Sequence, residues 1–241
     1  MSSELLRLLV TGRLLSGLLP CSCALCAARS DAVVCDGCRA AYIDPPTPRC
    51  PRCANPGDPR LACGACQVLQ PAFDATVTAT DYTAPLDALV LQLKFGGTLA
   101  LAPWCAQVLH DAVRRSAIAL PGLLCPVPLG RQRLAGRGYN QALEIARPLA
   151  RALGIPLHTQ LAVRVRETVA QSGVSPSARR DNIRNAFVVH PDALHLVRGQ
   201  HIGLVDDVMT SGHTVNELAG LFKRFGAVRV SNFVFARTPP H

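Results

Sequence analysis

Lysine is nearly missing from this chain: of its 25 basic side chains only Lys94 and Lys223 are lysines, and the rest are arginine. With the many alanines, that bias points to a GC-rich genome rather than to a chemical need. Aromatic residues are also few, at 5%, with one tryptophan. No apolar run is long enough to cross a bilayer. The leucine-rich start, MSSELLRLLVTGRLLSGLLP, is too short and is interrupted by Arg7 and Arg13. No small-residue cleavage site of the usual kind follows it, so it reads as an amphipathic helix packing on its own domain, and a cytoplasmic chain with no membrane span is expected. The glycine motifs of nucleotide sites fail as well. GRGYNQ (136–141) lacks the last glycine of G-x-G-x-x-G, and no G-x-x-x-x-G-K-[ST] occurs.

What is present is an apolar, basic, cysteine-rich chain. Of 241 residues 49% are hydrophobic and the formal charge is +9. That length buries a full core in one large or two unequal domains. Residues 21–66 are rich in loop-forming residues and hold nine of the 11 cysteines. From Phe73 onward short apolar runs alternate with amphipathic stretches, the pattern of an α/β domain. The boundary is expected near 67–72, giving a cysteine-rich module over 1–70 and an α/β domain over 71–241.

Within the second region, Leu86, Leu89, Val90 and Leu93 share one helical face. LLCPVP (123–128) reads as a short strand. NQALEIARPLARAL spaces Leu143, Ile145, Ala146, Leu149, Ala150 and Leu153 helically and stops at Gly154, with a kink expected at Pro148. HIGLV and VRVSNFVFA read as strands. Between them TVNELAGLFKRF reads as a helix that turns Val215, Leu218, Ala219, Phe222 and Phe225 inward.

The cysteines fall in four C-x-x-C pairs: Cys23/Cys26, Cys35/Cys38, Cys50/Cys53 and Cys63/Cys66, with 8, 11 and 9 residues between successive pairs. A C-x-x-C turn brings two thiolates onto one tetrahedral ion, and two such turns complete a Cys₄ site. Four regular pairs in a reducing compartment favour two structural Zn²⁺ sites over disulfides or a redox pair. Joining the first two turns and the last two is the simplest assignment; an interleaved cross-brace is the other. Cys21 is a bystander, and Cys105 and Cys125 read as buried thiols. Two Zn²⁺(Cys⁻)₄ centres carry −2 each. Residues 1–70 hold seven arginines and five acids, so metal loading makes the module net negative and weakens a zinc-finger/DNA reading.

The stretch HIGLVDDVMTSGHTVNELAG ends an apolar run on two adjacent carboxylates, Asp206 and Asp207. They repel each other, and a helix cap would use only one. The loop Thr210-Ser211-Gly212-His213-Thr214 then leads into a helix. Its backbone N–H groups and hydroxyls suit a phosphate. Carboxylates accept from vicinal hydroxyls. The combination suits a 5-phosphorylated pentose.

This run resembles the phosphoribosyl diphosphate motif of type I phosphoribosyltransferases over about thirteen consecutive residues. The four cysteine pairs, then LKFGG, CPVPLGRQRLAGRGYNQ, RVRETVAQSGVSPSARRDNIRNAF and LVDDVMTSGHT, in that order, resemble the ComF/GntX family over residues 20–238. The resemblance implies an α/β fold. A type I phosphoribosyltransferase-like parallel-sheet core carries a small N-terminal zinc-ribbon domain. It implies phosphoribosyl diphosphate as ligand with Mg²⁺, and Asp206 and Asp207 as the catalytic acid pair. It implies Thr210, Ser211, Gly212, His213 and Thr214 as the phosphate loop. It implies Arg133, Arg137, Asn140 and Gln141 at the diphosphate, and residues 168–182 as a loop closing over the site. Lys94 is read either as a phosphate contact or as a helix C-terminal cap.

Some base-using relatives carry an acid in the phosphate loop as proton acceptor, where this chain has Thr210. A nucleobase acceptor therefore lacks an assigned base, and ammonia or an amine is the other nucleophile. Ten arginines lie between Arg131 and Arg184 against three acids. Arg147, Arg151 and Arg166 among them read as a solvated face. The leading expectation is a phosphoribosyltransferase, a glycosyltransferase acting on pentosyl groups, supporting DNA uptake and natural competence. The alternatives are a non-catalytic nucleotide or phosphoribosyl diphosphate sensor, and a single-stranded DNA-handling factor partnered by competence proteins. Only Tyr139 and Phe187 are aromatic in the arginine belt, which gives bases little to stack on.

Overall fold

Residues 21–44, 46–166 and 185–240 are described in the computed structural model, and the chain divides into compact units at 1–45 and 46–241. The expected N-terminal helix and the loop over 168–182 lie outside the described residues.

In the first unit, β1 (Cys21–Ser22) pairs antiparallel with β2 (Arg29–Ser30), and a short helix α1 (Asp36–Tyr42) follows. Asp36 sits in its first turn, where negative charge meets the positive end of the helix dipole. The small core is Cys23, Val34, Cys38 and Ile43.

The second unit begins with the third cysteine turn and α2 (Gly64–Leu69). It continues with β3 (Ala75–Asp81), α3 (Leu86–Phe95), α4 (Leu101–Arg115), β4 (Leu123–Pro126), α5 (Arg131–Arg137) and α6 (Gln141–Leu153). Next come β5 (Ala162–Arg164), β6 (Phe187–Val189), a 3₁₀ turn (Pro191–Leu196), β7 (His201–Met209), α7 (His213–Arg224) and β8 (Arg229–Arg237). Four strands form a parallel sheet in the order β3-β8-β7-β4, and β5 with β6 forms a separate antiparallel ribbon.

Parallel strands covered on both faces read as continuous apolar runs rather than alternating ones. Thus Val230, Phe233, Val234 and Phe235 of β8, and Ile202, Leu204 and Val205 of β7, are all fully buried. Gly203 is required between them: a Cβ there would lie 2.5 Å from Leu124 Cδ2 and 2.8 Å from Phe233 Cε2. Helix α4 packs on β3 and β8, α6 packs on β4 and β7, and the two helices pack on each other. The four expected α3 positions are buried, as are Ile145, Ala146, Leu149 and Ala150 of α6, which runs through Pro148 and ends at Gly154 in the left-handed conformation. Helix α7 buries Val215, Leu218, Ala219 and Phe222 against β6 and β8. Phe225, expected inward, is 44% exposed because the helix ends there and the chain turns away; Leu221 is buried instead.

The division at 45/46 differs from the boundary expected near 67–72. The reason is packing. Cys50, Cys53 and Cys66 share one core cluster with Phe73 and with Val215, Leu218 and Phe222 of α7. The Thr76 amide donates to the Pro51 carbonyl, Arg52 donates to the carbonyls of Phe73 and Pro71, and Arg49 pairs with Asp81 at 2.8 Å. The second cysteine module is thereby built into the sheet domain.

Candidate functional site

Two groups of four thiols converge: Cys23, Cys26, Cys35 and Cys38, and Cys50, Cys53, Cys63 and Cys66, with the sulfurs of each group all within 4.8 Å of one another. The non-interleaved assignment is therefore the one the fold makes. In each group the first cysteine is served by backbone amides: Leu25 and Cys35 N–H lie 3.5 and 3.4 Å from Cys23 Sγ, and Cys63 N–H lies 3.3 Å from Cys50 Sγ. Burial opposes ionisation of Cys23 and Cys50, but these amides outweigh it, and the thiols fall to about 6 and about 7. Burial and the neighbouring sulfurs push Cys38 up to about 12. A second thiolate is resisted until a dication neutralises the group. Four sulfurs with no open position fit structural Zn²⁺. Cys105 and Cys125 are fully buried and lie far from either group in sequence; burial raises both thiols.

The acid pair sits near the C-terminal end of β7. Asp206 is half-buried and Asp207 is 7% exposed. Asp206 Oδ1 accepts from the Asp207 amide at 2.9 Å, and Asp207 Oδ1 accepts from the Val208 amide at 2.8 Å. Asp207 Oδ2 faces Lys94 Nζ at 3.1 Å and has no other partner among the described residues. Burial first, and the Asp207 charge second, raise the Asp206 carboxyl well above its ordinary range; Lys94 opposes the rise. A carboxyl held against its own preference is the kind of environment that function, rather than folding, explains.

The loop turns at Gly212, whose φ of 78° opens α7. A Cβ there would also lie 2.7 Å from Met209 Cε. Thr210 and Ser211 are exposed, and His213 and Thr214 are half-buried. Ser211 Oγ and His213 Nδ1 are 2.9 Å apart. The first amides of a helix such as α7 have no intrahelical acceptor, the general condition under which a helix start can meet an anion.

Beside the acids lies a basic cleft of about 340 Å³ lined by Lys94, Phe95, Gly97, Arg133, Gly136, Arg137 and Tyr139. Arg137 stacks over the Phe95 ring at 5.0 Å, and Tyr139 Oη donates to the Leu93 carbonyl at 2.5 Å. Burial lowers the Arg137 guanidinium, and the Asp207 charge opposes that. The fold therefore brings Lys94, Arg137 and the acid pair into one electrostatic neighbourhood.

Asn140 and Gln141 are placed differently. Asn140 caps α6: its Oδ1 accepts from the Ala142 amide and its Nδ2 donates to the Val127 carbonyl, both at 3.0 Å. Gln141 is 2% exposed, and its Nε2 has no hydrogen-bond partner among the described residues. Arg164, counted in the basic belt, is buried with its guanidinium 5.4 Å from the Phe187 ring centre; Arg147, Arg151 and Arg166 are exposed. The ion pair Lys94–Asp207 and the buried Arg237 were not legible in the sequence. Their partners are remote in the chain, and the only local signal at Lys94 was a lone lysine before two glycines.

A parallel sheet whose strand β7 carries two carboxylates near its end, with a glycine turn into a helix beside a basic cleft, defines a phosphoribosyltransferase-type domain. The family model of the phosphoribosyl transferase domain matches residues 140–239. DNA utilization protein YhgH of Salmonella typhi is 39% identical over 194 residues, covering 78% of this chain and 84% of that protein. The Escherichia coli K12 protein of the same name is 36% identical over 195 residues, covering 78% and 84%. Competence protein F of Haemophilus influenzae is 34% identical over 179 residues, covering 73% and 78%. The chain belongs to the ComF/GntX family, with two Cys₄ clusters and a type I phosphoribosyltransferase core.

Proposed function

We propose that the chain binds phosphoribosyl diphosphate with Mg²⁺ in the cytoplasm and transfers or releases its phosphoribosyl group. The observation that carries this reading is the adjacent pair Asp206 and Asp207 near the end of β7, followed by the glycine turn that opens α7. Burial and the Asp207 charge both oppose ionisation of Asp206, an environment that points to function.

In this reading the amides and hydroxyls of residues 210–214 hold the 5′-phosphate. Asp206 and Asp207 accept from the ribose hydroxyls. Lys94, Arg133 and Arg137 offer positive charge to the diphosphate leaving group. As the bond to the anomeric carbon breaks, the ribose becomes oxocarbenium-like, and the protein's part is positioning and charge stabilisation. Mg²⁺ is a hard cation that takes carboxylate and phosphate oxygens, so the acid pair fits it, and it supplies charge neutralisation at the diphosphate. Thr210 offers no base for a nucleobase proton, which favours an amine or ammonia as acceptor.

The second reading is a DNA-handling role, supported by the names of the relatives and by exposed Arg147 and Arg151. Calorimetric titration with phosphoribosyl diphosphate and Mg²⁺ tests the first. Binding in the wild type and none in folded Asp206→Ala with Asp207→Ala is expected; unchanged affinity in that variant refutes the ribose assignment. Saturating phosphoribosyl diphosphate that displaces single-stranded DNA places both ligands in one cleft. Tight DNA binding, indifferent to the small ligand and lost on Arg147→Ala or Arg151→Ala, would favour a separate nucleic-acid face.

A further inference from the structure

Arg237 closes β8 with its side chain 6% exposed, and its one guanidinium joins two distant parts of the unit. Nε donates to the Cys53 carbonyl at 3.0 Å. Nη1 donates to the carbonyls of Met209 at 3.0 Å and Thr238 at 2.6 Å, and also to that of Thr210. Cys53 belongs to the second thiol group; Met209 ends β7 and Thr210 begins the loop that leads into α7. Among the described residues no carboxylate forms an ion pair with Arg237. A buried cation needs a counter-charge. Burial lowers its guanidinium first and the nearby Arg49 adds to that, while Cys53, Asp81 and Cys66 oppose it; Asp81 is itself paired with Arg49 at 2.8 Å. A dication held by four thiolates carries −2 in total.

The carbonyl contacts also have a consequence for the loop. In a trans peptide the C=O of one residue and the N–H of the next point in opposite directions. The Met209 carbonyl is held by the Thr238 amide at 3.0 Å as well as by Arg237, and the Thr210 carbonyl is drawn onto Arg237, which turns the amides of Thr210 and Ser211 the other way. The donors are thus aimed before any ligand arrives, and the cost of ordering them is met in folding.

We propose that Arg237 is a positioning residue that takes the metal-loaded second cysteine cluster as its counter-charge and presets the amide donors of the 210–214 loop for a phosphate. This rests on the reading of that loop as a phosphate site. It gives the second cluster a role beyond holding its own module: losing its metal weakens ligand binding at the loop.

The test compares the full zinc-loaded chain with Arg237→Met and Arg237→Lys. It reads zinc release to a chromogenic chelator, thermal melting, and calorimetric titration with phosphoribosyl diphosphate and Mg²⁺. Arg237→Met is expected to release one zinc about tenfold faster and to lose affinity by roughly tenfold to a hundredfold, the scale of lost charge-assisted hydrogen bonds. Arg237→Lys keeps the charge, so its zinc release stays near wild type. Its single ammonium does not span the carbonyls of both segments, so its affinity stays low. That split separates counter-charge from tethering, whereas a general loss of packing moves both readouts together. A folded Arg237→Met that binds within about twofold of wild type, or releases zinc at the wild-type rate, overturns the proposal. If Arg237→Met does not fold, wild-type affinity in Arg237→Lys overturns it. If the wild type itself does not bind phosphoribosyl diphosphate, the ligand reading and this proposal's loop role both fall, and the zinc-release result alone decides whether Arg237 is coupled to the cluster.

Discussion

Replacing Asp206 by asparagine should make the protein more stable while removing its ligand affinity. Asp206 Oδ1 accepts the Asp207 amide at 2.9 Å, and an asparagine oxygen keeps that bond. What the substitution removes is the charge. Burial and the adjacent Asp207 raise the folded carboxyl well above its ordinary 3.8, so between those values the folded state holds more protons than the unfolded chain. The site's contribution is therefore most favourable below 3.8 and declines as pH rises through the folded value. At neutral pH, Asp206→Asn should add about 1 kcal/mol, the half-buried position keeping the gain near the middle of the usual range for relieved functional strain. It should also flatten the fall in stability from acid toward neutral pH. Urea melts at several pH values measure both, and calorimetry with phosphoribosyl diphosphate measures the accompanying loss of binding. Loss of stability at neutral pH, or an unchanged pH profile, would refute the argument that the acid is retained against folding.

Two further outcomes follow from the same neighbourhood. Lys94→Met leaves Asp207 Oδ2 buried without a partner and should cost about 1–3 kcal/mol in denaturant melts. Adding Asp207→Asn should recover most of that loss, and full additivity of the two changes would show that the ion pair is not coupled. Gly212→Ala places an L-residue at φ 78° and a methyl against Met209, so a loss of about 1–2 kcal/mol and weaker ligand binding are expected. Wild-type melting and affinity in that variant would mean the turn tolerates another backbone.

Local signals fixed much of this protein from sequence alone. Four C-x-x-C turns specify two Cys₄ groups because each turn is short enough to aim both thiols by itself. The strand-acid pair-glycine-helix run was legible as a strand, a turn at Gly212 and a helix because its parts are consecutive. Three of the buried parallel strands and the helices α3, α6 and α7 were legible through their apolar patterning, whereas β3, α4, α5 and the short β5 and β6 were not, their patterns being too brief or too mixed to read. Tertiary structure alone decided three matters. Joining the second cysteine module to the sheet rests on Arg49, Arg52 and Arg237 reaching carbonyls and a carboxylate 21 to 184 residues away. Lys94 meets Asp207 only because α3 and β7 come together, and Asn140 caps α6 while bonding the Val127 carbonyl thirteen residues back. Long-range hydrogen bonds leave no periodicity in a sequence, since an arginine reads the same whether its guanidinium meets water, a phosphate or the backbone of a remote turn.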